Sequence, residues 1–249
     1  MSIKDYWKSK WLFLQALDFY FIGDFWPDHS IKVRKFADSA RLVYTKARGH
    51  KFRKGEKIFM EIRQLTVSDT QASYQVIKVI LEHLDEPLIN EYGWETSGKI
   101  IAQAMKKPYY RYGYAHGYGV FEADQLVAVA YAYPGVLDPI IESPLETTML
   151  EMGYSLDQIP RSYAETEALV DEFYLDSLAT KQGEEGKGYA RQLIAHLSQV
   201  GREKNYHKLS LNVDFHNQRA LTLYQRLGFE TISELIIGGH PHYHMIKAI

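Results

Sequence analysis

The sequence predicts an α/β (α+β) fold, a mixed central sheet flanked by helices, with a helical extension at the N-terminus. Three observations lead there. From residue 58 onward, period-two apolar segments alternate with period-3.6 amphipathic ones. A glycine-rich stretch at 183–188 joins an apolar strand directly to an amphipathic helix. Residues 1–57 follow neither pattern.

The extension has an aromatic half, with Trp7, Trp11, Phe13, Phe19, Tyr20, Phe21, Phe25 and Trp26, and then a basic half from Arg41 to Lys57. We divide the chain into this extension, 1–57, and a main domain, 58–249. The aromatics need covering, either by the main domain or by a second copy of the chain in a homodimer.

In the main domain Ile58 to Leu65 reads as a strand. Ser68-Asp69 then cap a helix whose apolar positions are Ala72, Val76, Ile77, Ile80 and Leu81. A second helix is expected between Pro87 and Met105. Strands Tyr112 to Glu122 and Leu126 to Tyr133 flank the turn Ala123-Asp124-Gln125 and predict a hairpin. Residues 134–163, with Pro134, Pro139, Pro144 and Pro160, read as a long irregular connection. After it come a strand from Ala168 to Thr180, a helix from Gly188 to Glu203, a strand from Leu209 to Phe215 and a helix from Asn217 to Leu227. A hairpin closes the chain, Thr231 to Ile237 and His242 to Ala248, turned by Gly238-Gly239.

Composition narrows the chemistry. At 249 residues, 46% apolar and 24% charged, the chain has the make-up of a soluble globular protein. A formal net charge of -2 points to neither a nucleic-acid partner nor a polybasic membrane surface. With no cysteine, thiol nucleophiles, disulfides and thiolate-held zinc are excluded. Gln15 and Asp18 interrupt the apolar run from Trp11 to Ile22, so neither a signal peptide nor a membrane span is read, and a cytoplasmic location is expected.

The run Leu175-Asp-Ser-Leu-Ala-Thr-Lys-Gln-Gly-Glu-Glu-Gly-Lys-Gly-Tyr-Ala-Arg-Gln-Leu-Ile194 opens a helix whose apolar face is Ala190, Leu193, Ile194 and Leu197. Unpaired amides and the positive end of the helix dipole make such a start a phosphate or pyrophosphate site. A P-loop is excluded, because it needs Gly at 181 and Ser or Thr at 188, where Lys181 and Gly188 stand. A dinucleotide fingerprint fails at Arg191.

Some thirty residues downstream, a strand alternating Leu209, Leu211, Val213 and Phe215 with Ser210, Asn212 and Asp214 leads into Asn217-Gln-Arg-Ala-Leu-Thr-Leu-Tyr-Gln-Arg-Leu-Gly-Phe229. Asn217, Ala220 and Tyr224 share one helix face, and Gly228 caps the helix. Taken alone, this is also the pattern of a capped core helix.

The two segments, in this order, resemble the cofactor motifs of the GNAT N-acetyltransferase superfamily. The family's turn reads Arg/Gln-x-x-Gly-x-Gly/Ala, and Glu185-Gly186-Lys187-Gly188-Tyr189-Ala190 matches it at Gly188 and Ala190. The resemblance is strong over 168–229 and follows element order over 58–249. It implies a GNAT acyl-CoA transferase-like fold and acetyl-CoA as co-substrate. It also implies an amine acceptor, on a small molecule or a peptide.

Carried onto this chain, the resemblance pairs backbone groups of Leu178, Ala179 and Thr180 with the pantetheine arm. Amides from Glu185 through Gly186, Lys187, Gly188 and Tyr189 to Ala190 hold the pyrophosphate, and Asn217 and Ala220 line the cofactor. Tyr224 protonates the departing thiolate. Glu185 departs from the motif and puts a carboxylate beside the pyrophosphate, which Lys187 or Arg191 is placed to offset. That departure motivates a second reading, a module that binds acetyl-CoA without turnover.

Attack by an amine on a thioester needs a neutral amine, hence a base, and releases a thiolate that an acid can protonate. Strand alternation puts Glu172, Tyr174 and Asp176 on one face and offers both carboxylates as candidate bases. The resemblance implies Glu172 first and Asp176 second, since the superfamily often has a carboxylate around this point of the strand. His242 and His244 share a strand face, but no carboxylate or cysteine close in sequence completes a metal site, so none is expected. Tyr109, Tyr110, Tyr112, Tyr114 and Tyr118 are expected to line an acceptor pocket or a half-buried sheet surface.

Overall fold

The computed structural model describes residues 41–43, 59–82, 86–160 and 165–249. Apart from the short strand Arg41–Val43 (β1), the expected extension over 1–57 lies outside the described residues.

From β2 onward, seven strands form one mixed sheet: Phe59–Gln64 (β2), Gly117–Glu122 (β3), Gln125–Pro134 (β4), Phe173–Thr180 (β5), Lys208–Asp214 (β6), Glu230–Ile237 (β7) and His240–Ala248 (β8). Their order is β2-β3-β4-β5-β6-β8-β7, and only the β5–β6 neighbours run parallel. Helices Thr70–Leu81 (α1) and Pro87–Ala104 (α2) bury Ile77, Leu81, Ile100 and Ile101 in a core with Val129 and Tyr131 of β4. Helices Tyr189–Glu203 (α4) and Gln218–Arg226 (α5) flank a second core, where Leu193, Ile194 and Leu197 pack with Ala130, Leu175 and Leu211. Successive β4 residues fall in different cores because strand side chains alternate.

Local chemistry explains the element ends. Asp69 is the N-cap of α1, and its carboxylate accepts from the Thr66 amide at 2.8 Å and from both terminal nitrogens of Arg63 at 2.8 and 3.0 Å. Ala123 and Asp124 take φ of 46° and 63°, the left-handed pair that a two-residue hairpin requires.

Three expectations need correction. The 134–163 connection is not irregular: it holds a 3-10 turn, Gly135–Ile140, and a helix, Ser143–Glu151 (α3). Pro144 sits in the first turn of α3, where a missing amide hydrogen is no loss, so this proline starts a helix instead of breaking one. Strand β5 begins at Phe173, not Ala168, because Glu172 closes a turn: its amide donates to Leu169 O at 3.1 Å and its Oε2 accepts from the Leu169 amide at 3.0 Å. Strand β3 begins at Gly117, not Tyr112, since residues 110–116 turn twice, with Gly113 N donating to Tyr110 O and His116 N to Gly113 O. A Cβ on Gly113 would lie 2.2 Å from Lys107 O, so only glycine fits there.

No helix among the described residues is long and apolar enough to cross a membrane.

Candidate functional site

The parallel pair β5 and β6 stays together for only three residue pairs: Phe173 with Leu209, Tyr174 with Ser210 and Leu175 with Leu211. Beyond Leu175 and Leu211 the strands part, although each keeps its other neighbour, β5 on β4 as far as Thr180 and β6 on β8 as far as Asp214. The sheet therefore opens in its middle. At that point β5 carries a bulge: β4 pairs Tyr131 with Ser177 and Ala132 with Leu175, which leaves Asp176 as the extra residue.

Leu178, Ala179 and Thr180 lie on the parted stretch of β5. Leu178 packs against the α4-side core and Ala179 is buried in the α1-side core, so the backbone edge is what they present to the opening. The chain then enters the glycine turn, where Gly183, Gly186 and Gly188 take φ of 84°, 79° and 89°. Gly188 is the N-cap of α4, and nothing lies within 4 Å of where its Cβ would be. The helical ladder begins with Gln192 N donating to Gly188 O at 3.2 Å, so the amides of Tyr189, Ala190 and Arg191 face outward from the first turn. Glu185 turns its carboxylate back into the loop, where Oε2 accepts from the Gly183 amide at 2.8 Å, and Lys187 pairs with Glu184.

On α5, Asn217 is the N-cap and its Oδ1 accepts from Ala220 N at 3.1 Å. Ala220 and Tyr224 pack partly buried against the α4-side core, and the Tyr224 ring meets Phe229 edge to face at 5.7 Å. Burial pushes the Tyr224 hydroxyl up to about 12.

The two carboxylates of β5 belong to one polar network, but in different states. Glu172 is fully buried, with Oε1 3.1 Å from His244 Nε2 and Oε2 on the Leu169 amide. Burial works against its charge, but His244 and the Leu169 amide more than offset this and hold the carboxyl below its usual range. His244 Nδ1 meets Asn212 Oδ1 at 2.6 Å, and Asn212 Nδ2 donates to the Tyr174 hydroxyl at 3.1 Å and to Glu167 O at 2.9 Å. Asp176 accepts from Tyr133 at 3.1 Å and Ser177 at 2.8 Å, and Arg111 Nε lies 3.6 Å away. Burial raises the Asp176 carboxyl, and Arg111 offsets only part of this.

Sequence reasoning missed the centre of this network. Arg111 lies among the tyrosines after α2 and faces three carboxylates, Glu142 at 2.6 Å, Glu167 at 2.9 Å and Asp176. Glu142 and Glu167 come from the segments around α3 and before β5, where no periodic signal marks them. Burial raises the Glu142 carboxyl to about 7 and that of Asp138, which accepts from Glu167 N at 3.0 Å, to about 6. Of the tyrosines, Tyr110 and Tyr112 line a cavity beside Arg111, whereas Tyr118 is buried in the opposite core and Tyr109 is 64% exposed. His242 Nδ1 is turned to His240 O at 2.9 Å.

Comparison with known proteins places this arrangement. A family model described as the acetyltransferase (GNAT) family matches residues 155–229. The chain is 40% identical over 68 residues to a Bacillus subtilis protein described as uncharacterized N-acetyltransferase YycN, a match that covers 27% of this chain and 44%, less than half, of that relative. A solved structure described as an acetyltransferase is 32% identical, with a TM-score of 0.68, over 76% of this chain and 98% of that one. An N-acetyltransferase from Staphylococcus aureus Mu50 shares the fold at 22% identity and a TM-score of 0.63, over 74% of this chain and 98% of that one. The chain belongs to the GNAT acetyltransferase family.

Proposed function

We propose that this chain transfers the acetyl group of acetyl-CoA to a primary amine of a small molecule or peptide, by direct attack of the amine on the thioester. The observation that carries the reading is the opening of the sheet between β5 and β6, which leads straight into a glycine turn whose helix start points three amides outward.

In this reading the pantetheine arm lies along the parted edge of Leu178, Ala179 and Thr180 and completes its hydrogen bonds as a strand would. The pyrophosphate rests on the amides from Glu185 to Ala190, and the left-handed Gly186 and Gly188 leave it room. The Glu185 carboxylate, tied to the Gly183 amide, is held within its own loop. The capped start of α5, with Asn217 and Ala220, walls the arm.

The neutral amine attacks the thioester carbonyl, the C–N bond forms, the C–S bond breaks, and Tyr224 gives its hydroxyl proton to the thiolate. A hydroxyl raised to about 12 is fully protonated at neutral pH and so holds a proton to give, although burial makes it a weaker acid than a free tyrosine. For the amine's proton we assign Asp176 as base, ahead of Glu172. Asp176 stands on the bulge where the strands part and burial raises its carboxyl, the direction a base needs, whereas Glu172 is held below its usual range by His244 and the Leu169 amide.

The test is release of free CoA thiol from acetyl-CoA across a panel of amines, run beside calorimetry with CoA. Amine-dependent release supports the transferase. CoA binding with no release from any amine would leave the binding module, and no CoA binding would remove both readings.

A further inference from the structure

The cavity beside Arg111 has an acidic floor and apolar walls. We propose that it is the acceptor pocket, and that it takes an aliphatic amine carrying a second positive charge, a diamine. The proposal rests on the acetyltransferase reading above and adds the substrate class.

Charge balance is the first support. Arg111 is the guanidinium shared by Glu142, Glu167 and Asp176, all three within 4 Å of it and all with side chains less than a quarter exposed. Among the described residues, a single guanidinium lies within 4 Å of these three carboxylates, an excess of negative charge around one positive one. Burial first, and then the neighbouring carboxylates, push the Glu142 and Asp176 carboxyls up. An ammonium placed there would act the other way, since an opposite charge favours the ionised carboxylate. An acceptor with a carboxylate would meet the opposite field.

Shape is the second support. Glu142 and Glu167 line the cavity together with Glu86 and Glu146, while Leu145, Met149 and Ile159 supply apolar wall. Methylene groups belong against such a wall and a charged head belongs on the floor.

Position is the third. Arg111 lines the cavity and reaches Asp176 on the bulge, and Glu167 accepts from the Tyr174 hydroxyl on β5 at 2.9 Å. The acidic floor is therefore one side chain away from the place where the sheet opens. A ligand with its far ammonium on Glu142 and Glu167 can extend its other amine toward Asp176 and the thioester.

A matched series tests this: 1,4-diaminobutane, n-butylamine and 4-aminobutanoate share a four-carbon chain and differ only in the charge at the far end. With the full chain and acetyl-CoA we expect kcat/KM for the diamine to exceed that for butylamine by about tenfold or more, and 4-aminobutanoate to be poorest, as a paired partly buried charge implies. Glu142→Gln should shrink the diamine-to-butylamine ratio toward one. Calorimetry of 1,4-diaminobutane against the protein saturated with CoA gives a readout free of turnover. Equal kcat/KM across the series, preference for 4-aminobutanoate, or no heat from the diamine on a protein that does bind CoA would each overturn the proposal and leave the transferase reading standing. Failure to bind CoA would count against that underlying reading.

Discussion

Glu172 of the turn before β5 and His244 of β8 meet at 3.1 Å, Oε1 to Nε2, across strand β6, with side chains 0% and 5% exposed. The contact ties together two strands on either side of the one that leaves β5, at the closed end of the opening.

Removing one member of so buried a pair is expensive. Glu172→Gln should lower unfolding stability by about 2 kcal/mol, because His244 Nε2 and the Leu169 amide lose a charged acceptor in a buried place. The Glu172 carboxyl lies below its usual range, so its contribution is present above the unfolded value and lost as pH falls through the folded one. Thermal denaturation should therefore find the variant's deficit greater at pH 7 than in acid below the folded value. A deficit independent of pH would mean that packing, not charge, is what Glu172 supplies.

Glu142 has the opposite sign. Its carboxyl rises from 4.5 to about 7, so its stabilising effect is complete below pH 4.5 and is lost as pH rises through 7. Glu142→Gln stays neutral throughout. Relative to the parent, it should gain on the order of 3 kcal/mol between pH 4.5 and 8, or about 5 to 10 °C in midpoint temperature. Parallel melting curves across that range would show that Arg111 neutralises Glu142 fully.

Gly188→Glu should abolish CoA binding. The position takes φ of 89°, which a side chain strains, and the new carboxylate would stand at the outward amides of α4. Calorimetry giving the parental affinity would remove the pyrophosphate from this turn. The chain should still fold, since no atom lies within 4 Å of the added Cβ.

Tyr224→Phe keeps the ring against Phe229 and removes the proton donor. Turnover should fall by about a hundredfold with CoA affinity little changed, the lower end for general acids because a thiolate leaves fairly well unaided. Separate kcat and KM values decide it: a loss confined to KM would make Tyr224 a substrate contact, and full kcat where chemistry limits the rate would pass the role to water.

Legibility in the sequence follows the range of the signals. The glycine turn, α4, β6 and α5 are contiguous and periodic, so Gly188 at the helix start and Gly228 at φ 87° after α5 stand where their neighbours put them. The face shared by Glu172, Tyr174 and Asp176 was also readable, as one network of hydrogen bonds joins them through Asn212, Glu167 and Arg111. What could not be read was their state. Glu172 gains His244 from 72 residues away, and Asp176 owes its position to a bulge that appears only when β4 is laid beside β5. Arg111, Glu142 and Glu167 lie on three separate segments, and no short-range pattern announces that the guanidinium serves both carboxylates and Asp176 as well. Pro144 misled for another reason: the residue that breaks a helix interior also begins one.

The parting of β5 from β6 after three pairs gives this sheet an edge in its interior. Edges elsewhere are a hazard because any extended chain can add to them, but this one is closed at its base, where Leu175 still pairs with Leu211. A guest on this edge becomes part of the fold while it stays: at a hundred times its dissociation constant it adds about 2.7 kcal/mol to the unfolding free energy. The lifetime of the chain against heat and proteases would then rise and fall with the supply of whatever fills the gap.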